Sequence, residues 1–342
     1  VELDNINKAK AIIAQYLTGQ AADAVLDIIF GKVNPSGKLA ETWPIKLEDT
    51  PSFENFTHDN NSSHYKETLF VGYRYYDTFD RFCAYPFGHG LSYTSFAFDN
   101  ESIKINEKIG QISIKLTVKN TGNMDGAEVI QVYFGKPESA VIRPNKELKA
   151  FKKLFLKRGE SKSIELTIPI KSLAFYNTAI KDWVVEGGEY FVFIGNSSKN
   201  IISRKSITIS GEKFLLPAYI PLKKPVLNDE EFSLILGRSL NAKSVKRTRP
   251  YDINSTINDL SATFIGRILR KKLISFYKGN FQKEMLINEE AIQSLMEIPL
   301  RMLAMLSNGI LTKEGALAIV DIANRKYFGG IKKLLKSNKK EK

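Results

Sequence analysis

Ile112-Ser113-Ile114-Lys115-Leu116-Thr117-Val118-Lys119 places an apolar side chain at every second position and a polar one between. Successive side chains of an extended strand point to opposite faces, so this stretch reads as a strand with one face buried and one in water. Asn120-Thr121-Gly122 closes it with turn residues. Further runs of strand length follow at Val129–Phe134, Glu147–Leu156, Ser163–Ile168, Glu189–Gly195 and Ser206–Ile209, punctuated by Gly159, Pro169 and Gly187-Gly188. Several short strands between residues 91 and 210 predict an immunoglobulin-like β-sandwich.

On the N-terminal side the pattern is α/β. Ala11-Ile12-Ile13-Ala14 is a short apolar run that reads as a buried strand. A helix fits Gln20 to Phe30, with Ala21, Val25, Ile28 and Ile29 on one face and Gly31 placed for a left-handed cap. Asn34-Pro35-Ser36-Gly37 is a turn. One strand and one helix cannot cover both faces of a sheet, so residues 1–48, which open at Val1 and not at Met, are expected to be the end of a larger open α/β domain. Residues 49–90 lack periodicity but are aromatic from Phe70 to Tyr76, as befits a connector packed between domains.

On the C-terminal side Pro217, Pro221 and Pro225 mark an extended segment. From Asn228 the period becomes helical, with one stripe of Leu260, Phe264, Ile268, Leu269 and Leu273 and another of Ile292, Leu295, Met296, Leu303 and Leu306. Pro299 is expected to kink the second, and Thr312 to cap a third helix carrying Leu317, Ile319 and Val320. The expected fold class is therefore mixed: the end of an α/β-sandwich domain with its connector over residues 1–90, an all-β sandwich over 91–210, and a linker with a small α-helical region over 211–342.

Composition narrows the chemistry. Cys83 is the only cysteine, and His58, His64 and His89 are not at ligand spacing, so no disulfide framework or metal site is expected. No apolar run approaches the roughly 20 residues that cross a bilayer. No secretory leader is visible and a lone thiol suits a reducing interior, so the expected compartment is the cytoplasm. The net charge of +13 is weighted toward the end, in Lys332, Lys333, Lys336, Lys339, Lys340 and Lys342. No nucleic-acid module accompanies it. Arg267, Arg270, Lys271 and Lys272 could mark a helix on a membrane surface, but a solvated helix face is the preferred reading. Glu67 and Asp77 flank the aromatic run, where polar contacts from Glu67 and Arg74 across a domain boundary are the preferred reading over a binding site that pairs a carboxylate with an aromatic face. Gly88-His89-Gly90 reads as a tight turn, and Trp43 and Trp183 as packing residues in preference to sugar platforms.

Three blocks carry a family resemblance. Ala24 to Leu39 with Glu41-Thr42-Trp43-Pro44, then Tyr65 to Asp77, then Tyr85 to Thr94, resemble in order and spacing the end of the α/β-sandwich domain of glycoside hydrolase family 3, of the β-glucosidase type. Asn120-Thr121-Gly122, Ala127 to Tyr133 and Glu147 to Phe151 resemble the fibronectin type III-like domain that follows it, and Ile298-Pro299-Leu300-Arg301 is similar to a C-terminal extension of some bacterial members. The resemblance implies a retaining glycosidase acting on terminal β-linked sugars, glucose foremost, in carbohydrate metabolism. Such enzymes need two carboxyl groups about 5–5.5 Å apart and no cofactor. In the family the nucleophilic Asp lies on a barrel domain and the acid/base Glu earlier in the α/β domain, both upstream of the position matching Val1. It follows that this chain carries no catalytic residue, is inactive alone and braces the catalytic domains, with Glu67 the one substrate-binding candidate. Its partners would be the preceding barrel and α/β domain of the same polypeptide and the oligosaccharide substrate. A stand-alone carbohydrate-binding or interaction protein, or one half of a split enzyme, are the alternatives.

Overall fold

The structure, a computed structural model, describes residues 8–17, 19, 23–56, 63–217, 223–240, 249–281, 289–307 and 309–337. Gln20 and Ala21 of the expected first helix, His58, Pro221 and the basic Lys339, Lys340 and Lys342 lie outside the described residues. Contacts divide the chain into two compact units, residues 1–55 with 65–240 and residues 56–64 with 241–342.

In the first unit, α1 (Asp23–Ile29) is followed by α2 (Tyr73–Thr78) and then by β1 (Phe96–Asn106), β2 (Gln111–Asn120), β3 (Gly126–Gly135), β4 (Glu147–Leu156), β5 (Ser161–Pro169), β6 (Phe175–Asn177), β7 (Asp182–Val184), β8 (Gly188–Gly195) and β9 (Ile201–Ile209). The strands form an antiparallel three-stranded sheet ordered β1-β2-β5, a four-stranded sheet ordered β4-β3-β8-β9, and the small ribbon β6-β7. The inward residues of both large sheets meet in one core: Ile112, Ile114, Leu116 and Val118 from β2 face Ile130, Val132 and Phe134 from β3 with Val192 and Ile194 from β8. This is the sandwich that the alternation predicts. Asn120 ends β2 fully buried, its amide donating to the carbonyls of Met124 (2.7 Å) and Leu156 (3.2 Å) while its Oδ1 accepts from Thr94 Oγ1 (2.8 Å) and Gly122 N (3.1 Å). A buried amide with both ends satisfied makes the Asn120-Thr121-Gly122 turn a fixed point of the fold.

Within the N-terminal segment, the strand expected at Ala11–Ala14 needs correction. Ala11 to Ala14 is irregular, with Ile12 and Ile13 exposed, and joins none of the described sheets. An apolar run becomes a strand only when a neighbouring strand accepts its ladder, and among the described residues none does. The helix does form, and Gly31 at φ +68° ends it with its N–H on the Ile28 carbonyl (3.0 Å), but none of its residues is buried. Near the other end of this unit, α3 (Asp229–Leu236) begins with a reciprocal cap, Asn228 Oδ1 accepting from Glu231 N (2.8 Å) and Glu231 accepting from Asn228 N (2.9 Å).

The second unit is helical: α4 (Ile257–Leu260), α5 (Phe264–Phe281), α6 (Glu289–Met296), α7 (Leu300–Leu306), α8 (Lys313–Ala323) and α9 (Tyr327–Ser337). Ile257, Leu260, Met296, Leu300, Ile319 and Val320 form its core. Thr312 caps α8 as expected, its Oγ1 accepting from Gly315 N (3.0 Å). Pro299 separates two helices instead of kinking one, because its extended backbone (ψ 145°) makes it the N-cap of α7. Phe264 and Leu306, placed on the apolar stripes by their period, are exposed. Where Gly330 of α9 crosses α8, a Cβ would sit 2.6 Å from Ile322 and 2.9 Å from the Ala318 carbonyl, so the close crossing requires glycine. No helix among the described residues is long and apolar enough to cross a membrane.

Candidate functional site

The three family-like blocks converge on one face of the sandwich in the first unit. The turn Asn34-Pro35-Ser36-Gly37 supplies the first clamp. Asn34 Nδ2 donates to the Asp125 carbonyl at the β2–β3 turn (2.9 Å), and its Oδ1 accepts from Ser92 Oγ (2.9 Å) and Tyr93 N (2.8 Å). Lys38 extends into a nearly dry position, donating to the Gly90 carbonyl (2.7 Å) and pairing with Glu128 on β3 (2.7 Å). Leu39 and residues 88–89 exchange two backbone hydrogen bonds, Leu39 N to His89 O and Gly88 N to Leu39 O, each 2.8 Å. Glycine is required here: a Cβ on Gly90 would sit 2.1 Å from the Gly37 carbonyl oxygen. Gly88-His89-Gly90 is thus the expected tight turn. Trp43 packs its edge on Tyr85 (6.2 Å between ring centroids) and donates through Nε1 to Glu41 (3.0 Å).

The second block forms the other clamp. Tyr73 lies against Phe87 (4.9 Å) and Tyr133 of β3 (5.7 Å), and its hydroxyl accepts from Leu148 N on β4 (2.9 Å). Burial pushes the Tyr73 phenol up, against the lowering pull of the Leu148 N–H and of Arg74, and burial pushes the Tyr133 phenol up as well. Tyr133 donates to Gln131 Oε1, and Gln131 Nε2 donates to the Asn196 carbonyl (2.6 Å). These residues sit on the outer face of β3, and the connector covers them; β3 is consequently buried on both faces. Arg74 reaches Glu147 of β4 (3.5 Å). Asp77, with 2% of its side chain exposed, is flanked by Lys146 (2.9 Å) and Lys199 (3.2 Å) at angles that make these ion pairs rather than directed hydrogen bonds. Burial raises the nearby Cys83 thiol, which argues against a reactive thiolate.

Glu67 is 4% exposed, and its Oε2 has no hydrogen-bond partner among the described residues. The next residue, Thr68, holds φ +55°, an uncommon conformation for a β-branched side chain. An open hollow of about 640 Å³ is lined by Glu54, Asn55, Lys66, Lys224 and residues 226–230, and Glu67 is not among its lining residues. Ion pairs Lys66–Asp229 and Lys224–Glu231 occupy that neighbourhood. Trp183, expected to pack, is instead exposed beside Tyr176 on the β6–β7 ribbon (5.7 Å), because a two-stranded ribbon has only one face to bury. Buried Asp77, Glu128 and Glu186 are each held by a lysine or arginine. Asp77 and Glu128 thereby tie the family-like blocks to the sandwich, while Glu186 is held within the sandwich by Arg143, Ser139 and the Ala140 N–H. No group of three His, Cys, Asp or Glu among the described residues could hold a metal ion. The signals for the junction were present in the sequence as polar residues inside turns, but nothing local tells which strand each would reach.

Residues 1–93 match the glycosyl hydrolase family 3 C-terminal domain, and residues 128–198 match a fibronectin type III-like domain. The thermostable β-glucosidase B of Acetivibrio thermocellus is 38% identical over 306 residues, covering 87% of this chain and 40% of that protein. An exo-α-(1→6)-L-arabinopyranosidase of Bifidobacterium breve is 40% identical over 207 residues, 60% of this chain and 27% of that protein. The crystal structure of a family 3 β-glucosidase from Bifidobacterium adolescentis superposes with a TM-score of 0.53 and 36% identity, over 72% of this chain and 32% of that one. The chain therefore spans 40% or less of the length of these relatives.

Proposed function

From the premise that this chain carries the C-terminal domain of family 3 glycosyl hydrolases joined to its fibronectin type III-like domain, we propose that it is the bracing, non-catalytic part of a retaining β-glucosidase-type enzyme. The complete enzyme removes terminal β-linked sugars by the two-carboxylate mechanism, with both carboxylates on a preceding barrel and α/β domain. The observation that carries this reading is the contrast within the first unit. The junction of Asn34, Lys38, Tyr73 and Asp77 with the sandwich is densely bonded. The stretch before it leaves Ile12, Ile13, Tyr16, Leu17, Ile29 and Phe30 exposed. Apolar groups so concentrated are what a sheet and helices packed ahead of them would cover. The sandwich then fixes the orientation of that domain through the two clamps. The arabinopyranosidase among the relatives makes glucose the first sugar to try and not the only one.

The test compares this chain with a polypeptide extended through the barrel and α/β domain of the thermostable relative. The extended protein is expected to hydrolyse an aryl β-glucoside and the present chain to be inert. Turnover by the present chain, with contaminating enzyme removed, would overturn the proposal.

A further inference from the structure

Helix α9 presents three distinct arcs. One is buried: Gly330 lies against α8, and Ser337 is buried at the end. The second is apolar and exposed: Tyr327 (57%), Phe328 (88%), Ile331 (51%) and Leu335 (63%). At 3.6 residues per turn these four fall on one contiguous strip. The third is basic, with Lys332 and Lys336 beside that strip and Lys333 turned toward Asp321 of α8 (2.6 Å). α9 contains no acidic residue. From Arg325 to the last residue the sequence carries eight lysines and arginines against one acid, Glu341.

We propose that α9 docks the helical unit on an anionic lipid surface. An exposed strip of phenylalanine, tyrosine and aliphatic side chains, bordered by lysines and free of carboxylates, has the two complements such a surface offers. The apolar strip enters the acyl boundary, and the lysines snorkel to the phosphate headgroups. Neither part suffices alone, since short apolar anchors bind reversibly and need a basic neighbour to hold. The charge decides the occupant. A protein groove receiving Phe328 and Ile331 would gain from apolar burial but has no need of the lysines Lys332 and Lys336 beside them. A second copy of this chain would bring the same positive border against itself.

The experiment is co-sedimentation of the full 342-residue chain with vesicles of phosphatidylcholine, with and without phosphatidylglycerol. Binding is expected only when phosphatidylglycerol is present, and to weaken as salt is raised. Phe328→Ser with Leu335→Ser should reduce partitioning about tenfold or more. Lys332→Gln with Lys336→Gln should reduce it about fivefold per lysine. All four side chains are exposed, so the helical circular dichroism should be unchanged. Equal affinity for neutral and anionic vesicles, no binding to either, or loss of concentration-dependent dimerisation in Phe328→Ser without any vesicle binding would each overturn the proposal.

Discussion

Replacing Asp77 by asparagine keeps the shape of the side chain and removes its charge. Its carboxylate is 2% exposed and lies 2.9 Å from Lys146, itself 12% exposed, and 3.2 Å from Lys199, which is 38% exposed. Deleting one partner of a buried pair leaves the other charge uncompensated, at a cost of about 3–5 kcal/mol. Lys199 reaches water and adds about 0–1 kcal/mol. The asparagine carbonyl can still face one ammonium, so the expected loss for Asp77→Asn is about 2–4 kcal/mol. Trp43 and Trp183 are the chain's two tryptophans and both belong to the first unit, so urea unfolding followed by tryptophan fluorescence reports on that unit. With a denaturant slope of roughly 2–3 kcal/mol/M, the midpoint should fall by about 1 M. Adding Lys146→Met should recover a large part of the loss, because the stranded charge is then gone. A midpoint shift below about 0.2 M for Asp77→Asn, or an undiminished loss in the double variant, would refute the view that the second clamp is held by charge.

Gly90→Ala tests the first clamp: the added Cβ meets the Gly37 carbonyl at 2.1 Å, so the two segments must separate, and unfolding free energy should fall by about 2 kcal/mol or more. Protection of the Leu39 amide against hydrogen exchange should fall with it. Burial, with Lys38 nearby, pushes the His89 imidazole below its ordinary pKa. The unfolded chain then binds more protons than the folded one below about pH 6.5, so stability should decline as pH is lowered through that value. His89→Gln should flatten this slope in urea titrations at pH 5.5 and 7.5, and an unchanged slope would assign it to other groups.

The pattern of the chain alone determined the strands that have one wet face. β2 and β5 alternate because water on one side and core on the other impose a period of two on composition, and a local reading recovers them. Glycine and proline placed the turns, and Thr312 and Gly31 the helix ends, because these rest on backbone geometry within a few residues. β1 escaped notice because a bulge between Asp99 and Ser102 breaks its period, and β6 and β7 are three residues each, too short to show one. Only the tertiary structure decided what covers the second face of β3, that Asn34 spans to Asp125 and Asp77 to Lys146, and that Ala11–Ala14 stays irregular. Each of these depends on a partner tens of residues away or on none being present, and sequence neighbours carry no record of it. Periodicity reports whether a face is dry, while the identity of the surface that dries it is settled by packing.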